Sequence, residues 1–340
     1  MKVLVTGGTG YIGSHTVVEL QQKGHDVIIV DDLSNSFIDV IDNIEKITNK
    51  RPEFHKVNLA DPYKTSEFFN QNKDIEAIIH FAAFKAVGES VEKPLDYYHN
   101  NLFSLVNVLK NMQEHHIKHI VFSSSCTVYG QPDKLPVDES APIKKAESPY
   151  GNTKQIAEEV LFDTSKVNDI NVIALRYFNP IGAHKSGLIG ELPLGVPNNL
   201  VPFITQTAYG IRKELKVFGN DYNTPDGTCI RDYIHVTDLA QAHVVAVNRL
   251  LKSNNKSKFE VFNLGTGKGS SVLEAINAFE RSTNVKLNYS FAPRRQGDVV
   301  EVYANTDFAN HELGWKSKLS LDDAMASAWK WEQYYRNHKK

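Results

Sequence analysis

Cysteine is scarce: Cys126 and Cys229 are the only two in 340 residues. They lie far apart and outside any Cys-x-x-Cys spacing, so neither a disulfide framework nor a zinc site is expected. Long apolar runs are also missing, with nothing near the ~18 consecutive residues of a membrane span. The chain runs straight into Val3-Leu4-Val5, with no basic start and apolar core of a secretory signal. A cytoplasmic, reducing setting is the expectation. Net charge is nearly lacking too, since 38 Lys+Arg against 40 Asp+Glu leave a formal −2. Nucleic acid and anionic membrane surfaces therefore find no attracting field, and any cationic site must be local. Internal repeats, low-complexity tracts and long linkers are absent as well.

What is present is ordinary globular material, 41% hydrophobic and 23% charged, enough for two units or one with a large appendage. Short apolar runs at Lys2–Thr6, Asp26–Asp31, Phe54–Leu59, Ala77–Ala82, His119–Ser125 and Asn171–Asn179 read as strands buried on both faces. Between them, Tyr11–Lys23, Asp61–Gln71, Pro94–His115 and Ser148–Asn168 read as helices. This alternation predicts an α/β fold of Rossmann type, a doubly wound parallel sheet, over residues 1–179. From about Pro180, Gly, Pro and Asn cluster, which predicts a smaller α/β unit of short elements over 180–340. A strand-like run at Phe259–Leu264, within a segment around 233–265, is expected to complete the first sheet. A helix is expected from Ser271.

Gly7-Gly8-Thr9-Gly10-Tyr11-Ile12-Gly13 sits between the first strand and the first helix. Gly7, Gly10 and Gly13 permit a tight turn, a close backbone approach to a pyrophosphate and close helix packing. The helix N-terminus behind them favours the phosphate charge. A glycine turn alone can be a mere corner. Asp31, however, ends the second strand, where it can accept from adenosine ribose hydroxyls and repel a 2′-phosphate. NAD is thus expected over NADP, although Asp31 by itself could be only a cap.

Tyr150 and Lys154 are four residues apart on one helix, so an ammonium can sit near a phenol and favour the phenolate as a base. Ser125 ends the preceding strand at the ligand-binding edge of such a sheet. A Tyr-x-x-x-Lys pair is more often a solvated helix face. Here the glycine turn, acidic strand end, serine strand end and Tyr–Lys helix follow in the order a hydride-transfer site needs.

Taken together, Thr6–Gly13, Ser125, Tyr150–Lys154 and Arg176-Tyr-Phe-Asn-Pro180 resemble an extended short-chain dehydrogenase/reductase. Within that group Tyr11–Thr16, Lys85–Ser90, Pro197–Leu200, Arg231–His235 and Arg294–Asp298 resemble the UDP-glucose 4-epimerases over essentially the whole chain. The resemblance implies NAD contacts from Gly7, Gly10, Tyr11, Ile12, Gly13, Asp31, Asn35, Ser36, Asn58 and Leu59. It continues them through Phe81, Ala82, Ala83, Lys85, Asn100, Tyr150, Lys154, Tyr177 and Phe178. Asn58 stands where the family usually has Asp. UDP-hexose contacts are implied for Lys85, Ser125, Tyr150, Asn179, Asn199, Leu200, Val217 and Phe218, and for Arg231, Tyr233, Arg295, Asp298 and Val302. No metal is implied.

By the same resemblance Tyr150 takes the 4-hydroxyl proton, Ser125 holds the 4-oxygen, and Lys154, with the cationic nicotinamide, lowers the tyrosine pKa and holds the nicotinamide ribose. The hydride passes to retained NAD and returns to the opposite face of the 4-keto sugar. Val302 replaces the bulky Tyr of some relatives, which implies room for UDP-N-acetylhexosamines. A nucleotide-sugar 4,6-dehydratase is the nearest alternative, but it would need Asp-Glu where Cys126-Thr127 stand. A simple oxidoreductase and a non-catalytic dinucleotide sensor are the others. Cys126 reads as a small buried hydrophobe. The stripe Tyr98, Leu102, Leu105, Val106 and Leu109 suits a core or a dimer face, and the resemblance implies a homodimer through this helix and the Tyr150 helix.

Overall fold

The computed structural model describes residues 1–295 and 299–338. The first half runs β1 (Lys2–Thr6), α1 (Tyr11–Gln22), β2 (Asp26–Asp31), α2 (Asp39–Thr48), β3 (Glu53–Lys56), α3 (Pro62–Gln71) and β4 (Ala77–His80). It continues through α4 (Val87–Glu92), α5 (Pro94–Glu114), β5 (His119–Ser125), α6 (Pro149–Val167) and β6 (Asn171–Tyr177). Beyond it come β7 (Asn179–Ile181), α7 (Leu200–Ala208), β8 (Leu215–Phe218), β9 (Ile230–Arg231), β10 (Tyr233–His235) and α8 (Val236–Leu251). The last elements are β11 (Phe259–Leu264), β12 (Ser270–Ser271), α9 (Val272–Thr283), β13 (Tyr289–Ala292), β14 (Glu301–Val302) and α10 (Leu321–His338).

Seven parallel strands form the main sheet in the order β11-β6-β5-β4-β1-β2-β3. The order reverses between β1 and β4, and at such a crevice ligands bind beyond the strands' carboxyl ends. Strands buried on both faces explain the continuous apolar runs: Val3, Val5, Val27, Ile29 and Ile79 pack toward α1 and α8. Leu4, Ile28, Ile78, Ile120 and Val172 pack toward α3, α5 and α6. A third apolar cluster joins α7, β8, α9 and α10 in the second half.

Three departures from the sequence reading have local causes. The third strand ends at Lys56 rather than Leu59, because the Asn58 carbonyl oxygen of the side chain accepts from Ala60 N (2.9 Å) and turns the chain. Helix α2 was hidden among charges, burying only Ile41 and Ile44. The second half is less irregular than its Gly and Pro content suggests, since α8 is a sixteen-residue helix packed on the main sheet. Phe259–Leu264 does join that sheet, beside β6.

Candidate active site

The glycine turn is built for backbone proximity. Gly7 has φ +69°, and a Cβ there would lie 2.9 Å from Ala82 N; one on Gly13 would lie 2.2 Å from Gly7 O. No longer side chain fits either place without moving the Phe81–Ala82 strand end or the helix. Helix α1 then starts at Tyr11 with no side-chain cap and no acidic residue in its first turn. Uncapped N–H groups and the positive dipole end suit an anionic ligand. Asp31 is fixed by three donors: Thr9 N (3.2 Å), Leu33 N (2.9 Å) and Ser36 Oγ (3.1 Å). It thereby gathers Ser36 beside the turn, while Asn35 is exposed on the same loop. Asn58 is exposed, Leu59 is buried, and Phe81, Ala82 and Ala83 follow β4 on the same edge of the sheet. A dinucleotide's adenosine and pyrophosphate halves match this cradle.

Helix α6 starts where Ser148 accepts from Gly151 N (3.1 Å) and Pro149 occupies the first turn, which sets Tyr150 and Lys154 on its inner face. Tyr150 is 9% and Lys154 4% exposed. The Lys154 ammonium donates to Ser123 O (2.6 Å) and lies 5.9 Å from the Tyr150 ring centroid and 4.8 Å from that of Phe122. Ser125 lies against the Tyr150 hydroxyl, and its Oγ accepts from Thr127 N (3.2 Å). Tyr177 binds Ser123 through its hydroxyl, and Phe178 is buried. Asn100 donates to Asn101 (3.1 Å).

In the protein alone, burial dominates the electrostatics of the Tyr150–Lys154 pair. Burial pushes the Tyr150 phenol well above its ordinary value, against a smaller lowering by Ser125. Burial also brings Lys154 down to about 7, with Glu158 opposing. Desolvation penalises both charged forms, so the expected lowering of the phenol by the ammonium does not prevail in the protein by itself. A further cation beside the phenol is what the phenolate needs. Cys126 is pushed up to about 12 by burial, in keeping with an inert thiol.

The second half supplies the opposite side. Asn179 pairs with Tyr233 across β7 and β10, and Arg231 with Val302 across β9 and β14. The Arg295 guanidinium lies 4.7 Å from the Phe218 ring centroid. Val217 is 1% exposed and sits in the core, so only its backbone faces outward, and Leu200 packs at the edge of the same core. Asn199 begins α7, and Lys85 projects from the loop after β4. Asp298 lies outside the described residues.

Three residues escaped the sequence reading. Buried Asp232 accepts from Thr266 N, Thr266 Oγ1, Gly267 N and Ala304 N (2.7–3.2 Å), locking Arg231 and Val302 into place. Asn101 accepts from Phe84 N (2.8 Å) and donates to Thr153 Oγ1 (3.2 Å), pinning the Lys85 loop to the Tyr150 helix. Glu191 accepts from both Lys85 and Asn199. Each joins segments distant in sequence, and only the Arg-Asp-Tyr-Ile-His run around Asp232 stood out beforehand.

The chain matches the GDP-mannose 4,6 dehydratase family over residues 4–328. It is 50% identical to a UDP-glucose 4-epimerase of Schizosaccharomyces pombe over 98% of this chain and 94% of that one. Among solved structures it resembles the UDP-glucose 4-epimerase of Stenotrophomonas maltophila, with bound NAD and formylated UDP-arabinopyranose (TM-score 0.95, 46% identity, 99% of both chains). That of Bifidobacterium longum, in complex with NAD+ and UDP, gives TM-score 0.94 and 46% identity over 99% of both chains. Identity at this level along the full chain, on a site with the Tyr–Lys–Ser set and without the Asp-Glu of a dehydratase, places the protein in the UDP-glucose 4-epimerase family of extended short-chain dehydrogenase/reductases.

Proposed function

We propose that the protein interconverts UDP-glucose and UDP-galactose at C4 using NAD that it retains, in the cytoplasm. The observation that carries this is the convergence of Tyr150, Lys154 and Ser125 at the sheet edge beside the glycine cradle. When bound, NAD supplies a hydride acceptor for C4 and a positive charge. Tyr150 takes the 4-hydroxyl proton and returns one to the 4-oxygen on closing the cycle. Ser125 hydrogen-bonds that oxygen throughout. Lys154, held by Ser123 O, supports the phenolate and binds the nicotinamide ribose. Arg231 and Arg295 grip the diphosphate, for which guanidinium forks are suited. Residues 1–179 with β11 serve as the NAD-binding unit and the remainder as the UDP-sugar unit. Purified protein, without added NAD, is expected to convert UDP-galactose to UDP-glucose. No conversion even with NAD supplied would return the dehydratase and sensor alternatives.

Val302 sets the substrate range. It is half-buried and opposite Arg231, in an apolar cluster that also holds Cys126, Ala304, Tyr129 and Phe178. A valine there leaves room for an N-acetyl group at C2. UDP-N-acetylglucosamine and UDP-N-acetylgalactosamine are therefore substrates as well. Val302→Tyr is expected to cut turnover of the N-acetylated pair by ~10–200-fold, the scale of a pocket steric change, while sparing the plain pair. Equal loss on both pairs in the same assay would sink the size argument.

A homodimer through α5 and α6 completes the reading. Leu105 and Leu109 are core, but Leu95 is 80%, Phe103 54% and Phe162 45% exposed on these helices. Aromatics laid open this far on adjoining helices suit a self-complementary face. Sedimentation velocity is expected to give a dimer, and Phe103→Glu a monomer. A monomeric parent protein at micromolar concentration would overturn it.

A further inference from the structure

We infer that Glu191 is a positioning residue that holds the two sides of the cleft together at the hexose. Resting on the epimerase reading above, this deepens its substrate side. One carboxylate oxygen, Oε1, accepts from Lys85 Nζ at 3.0 Å and from Asn199 Nδ2 at 2.6 Å. The side chain is only 10% exposed, whereas that of Lys85 is 48% exposed. Its own backbone oxygen accepts from Trp331 Nε1 (3.1 Å), which anchors the loop to α10.

Two features set this carboxylate apart from an incidental ion pair. Asn is a favoured helix N-cap residue. Asn199 occupies that position of α7 yet makes no side-chain cap bond, because its amide turns to Glu191. A local stabilisation is given up for a contact across the cleft. Second, a cleft that takes a diphosphate disfavours a neighbouring carboxylate unless that carboxylate is held by cations or donors. Glu191 is held by both.

The tie spans the two halves of the site. Lys85 lies on the loop that Asn101 pins to Thr153, within the turn between Tyr150 and Lys154. The Lys85 ammonium also lies 5.6 Å from the Tyr11 ring centroid, and the Tyr11 hydroxyl donates to Gly182 O (2.6 Å). Asn199 belongs to the opposite side, with α7. Phe218, Arg231 and Arg295 lie on other elements, β8, β9 and the segment after β13, where the Arg295 guanidinium faces the Phe218 ring (4.7 Å). Glu191 thus fixes donors for the sugar and leaves the nucleotide contacts alone. A sugar held by fixed donors on both sides stays within the pocket as its 4-keto form presents its second face.

The experiment compares Glu191→Ala and Glu191→Gln by titration calorimetry with UDP and with UDP-glucose, alongside steady-state kinetics. Glu191→Ala is expected to weaken UDP-glucose about tenfold, as for loss of charge-assisted hydrogen bonds, with UDP within twofold of the parent value. KM rises by the same factor, and bound NAD and the thermal midpoint are unchanged. Glu191→Gln keeps an acceptor oxygen and is expected to recover most of the loss. Equal weakening of both ligands in both variants, or none in either, overturns the inference. A parent enzyme that leaves UDP-galactose unchanged would instead overturn the epimerase reading, so the two failures are separable.

Discussion

Replacing Tyr150 by Phe is expected to lower kcat by ~10²–10⁴-fold, the contribution of a positioned general base, with KM little changed. The ring is 9% exposed and packed at the start of α6, so losing the hydroxyl removes the proton acceptor and leaves the fold in place. No neighbour can take over. A serine hydroxyl such as that of Ser125 is a far weaker acid than a phenol, and the Cys126 thiol stays protonated with its pKa pushed up to about 12. Lys154, brought down to about 7, is a basic group beside it, but its ammonium is committed to Ser123 O at 2.6 Å. Stopped-time assays of UDP-galactose conversion, with bound NAD followed by absorbance, measure the effect. Full NAD content with rate lost places Tyr150 at the chemical step. A fall of less than tenfold would move the proton acceptor to Lys154, and a sensor would keep its ligand response intact.

Much of this site was legible because its signals are short-range. The glycine turn, Asp31 at the end of β2, Ser125 at the end of β5 and the Tyr150–Lys154 spacing each depend on a few consecutive residues. Their order then follows from the doubly wound topology. The parallel sheet was visible in the same way, since strands buried on both faces are apolar throughout.

What stayed hidden depends on partners far along the chain. Helix α8 buries residues on nearly every side, including Asp238 and His243, so it shows no clean amphipathic stripe. Asp238 is there to accept from Lys318 N and Leu319 N (2.8 Å each), some eighty residues away. Glu191 sits in a loop of Gly and Pro, and nothing local tells of Lys85 or Trp331. The phenol's pKa likewise depends on burial, which spacing on a helix does not reveal.

Acidification is expected to destabilise the protein steeply below pH 6.5. Five histidines are buried neutral: burial lowers His15 and His80 to about 3, and His184, His235 and His243 to about 4. His25 and His119 move the same way. The His15 and His243 Nδ1–H groups donate to Tyr11 O (2.7 Å) and Leu239 O (2.8 Å), which sets their tautomer; these bonds favour the charged ring, but burial outweighs them. Unfolded histidines take up protons below ~6.5, whereas these stay bare until about 4, so unfolding absorbs protons in that window. Stability is full above pH 6.5 and falls as pH drops toward 4. At pH 5 each group costs on the order of 2 kcal/mol; His15, His184 and His235 depress one another, so these costs overlap, and together they take several kcal/mol from the stability of an ordinary domain. Glu19, Glu139 and Asp232, raised by burial, act in the opposite direction and offset part of this. Urea midpoints from pH 7.5 to 5 measure the net slope. His243→Phe tests its origin: the ring lies among Phe81 and Tyr177, 4.7 and 6.0 Å between centroids, where a phenyl group fits the apolar contacts. Removing that one site is expected to flatten the slope by up to ~1.4 kcal/mol per pH unit. A midpoint that holds constant to pH 5 would show that these histidines reach solvent protons without unfolding, and the buried-neutral account would fall.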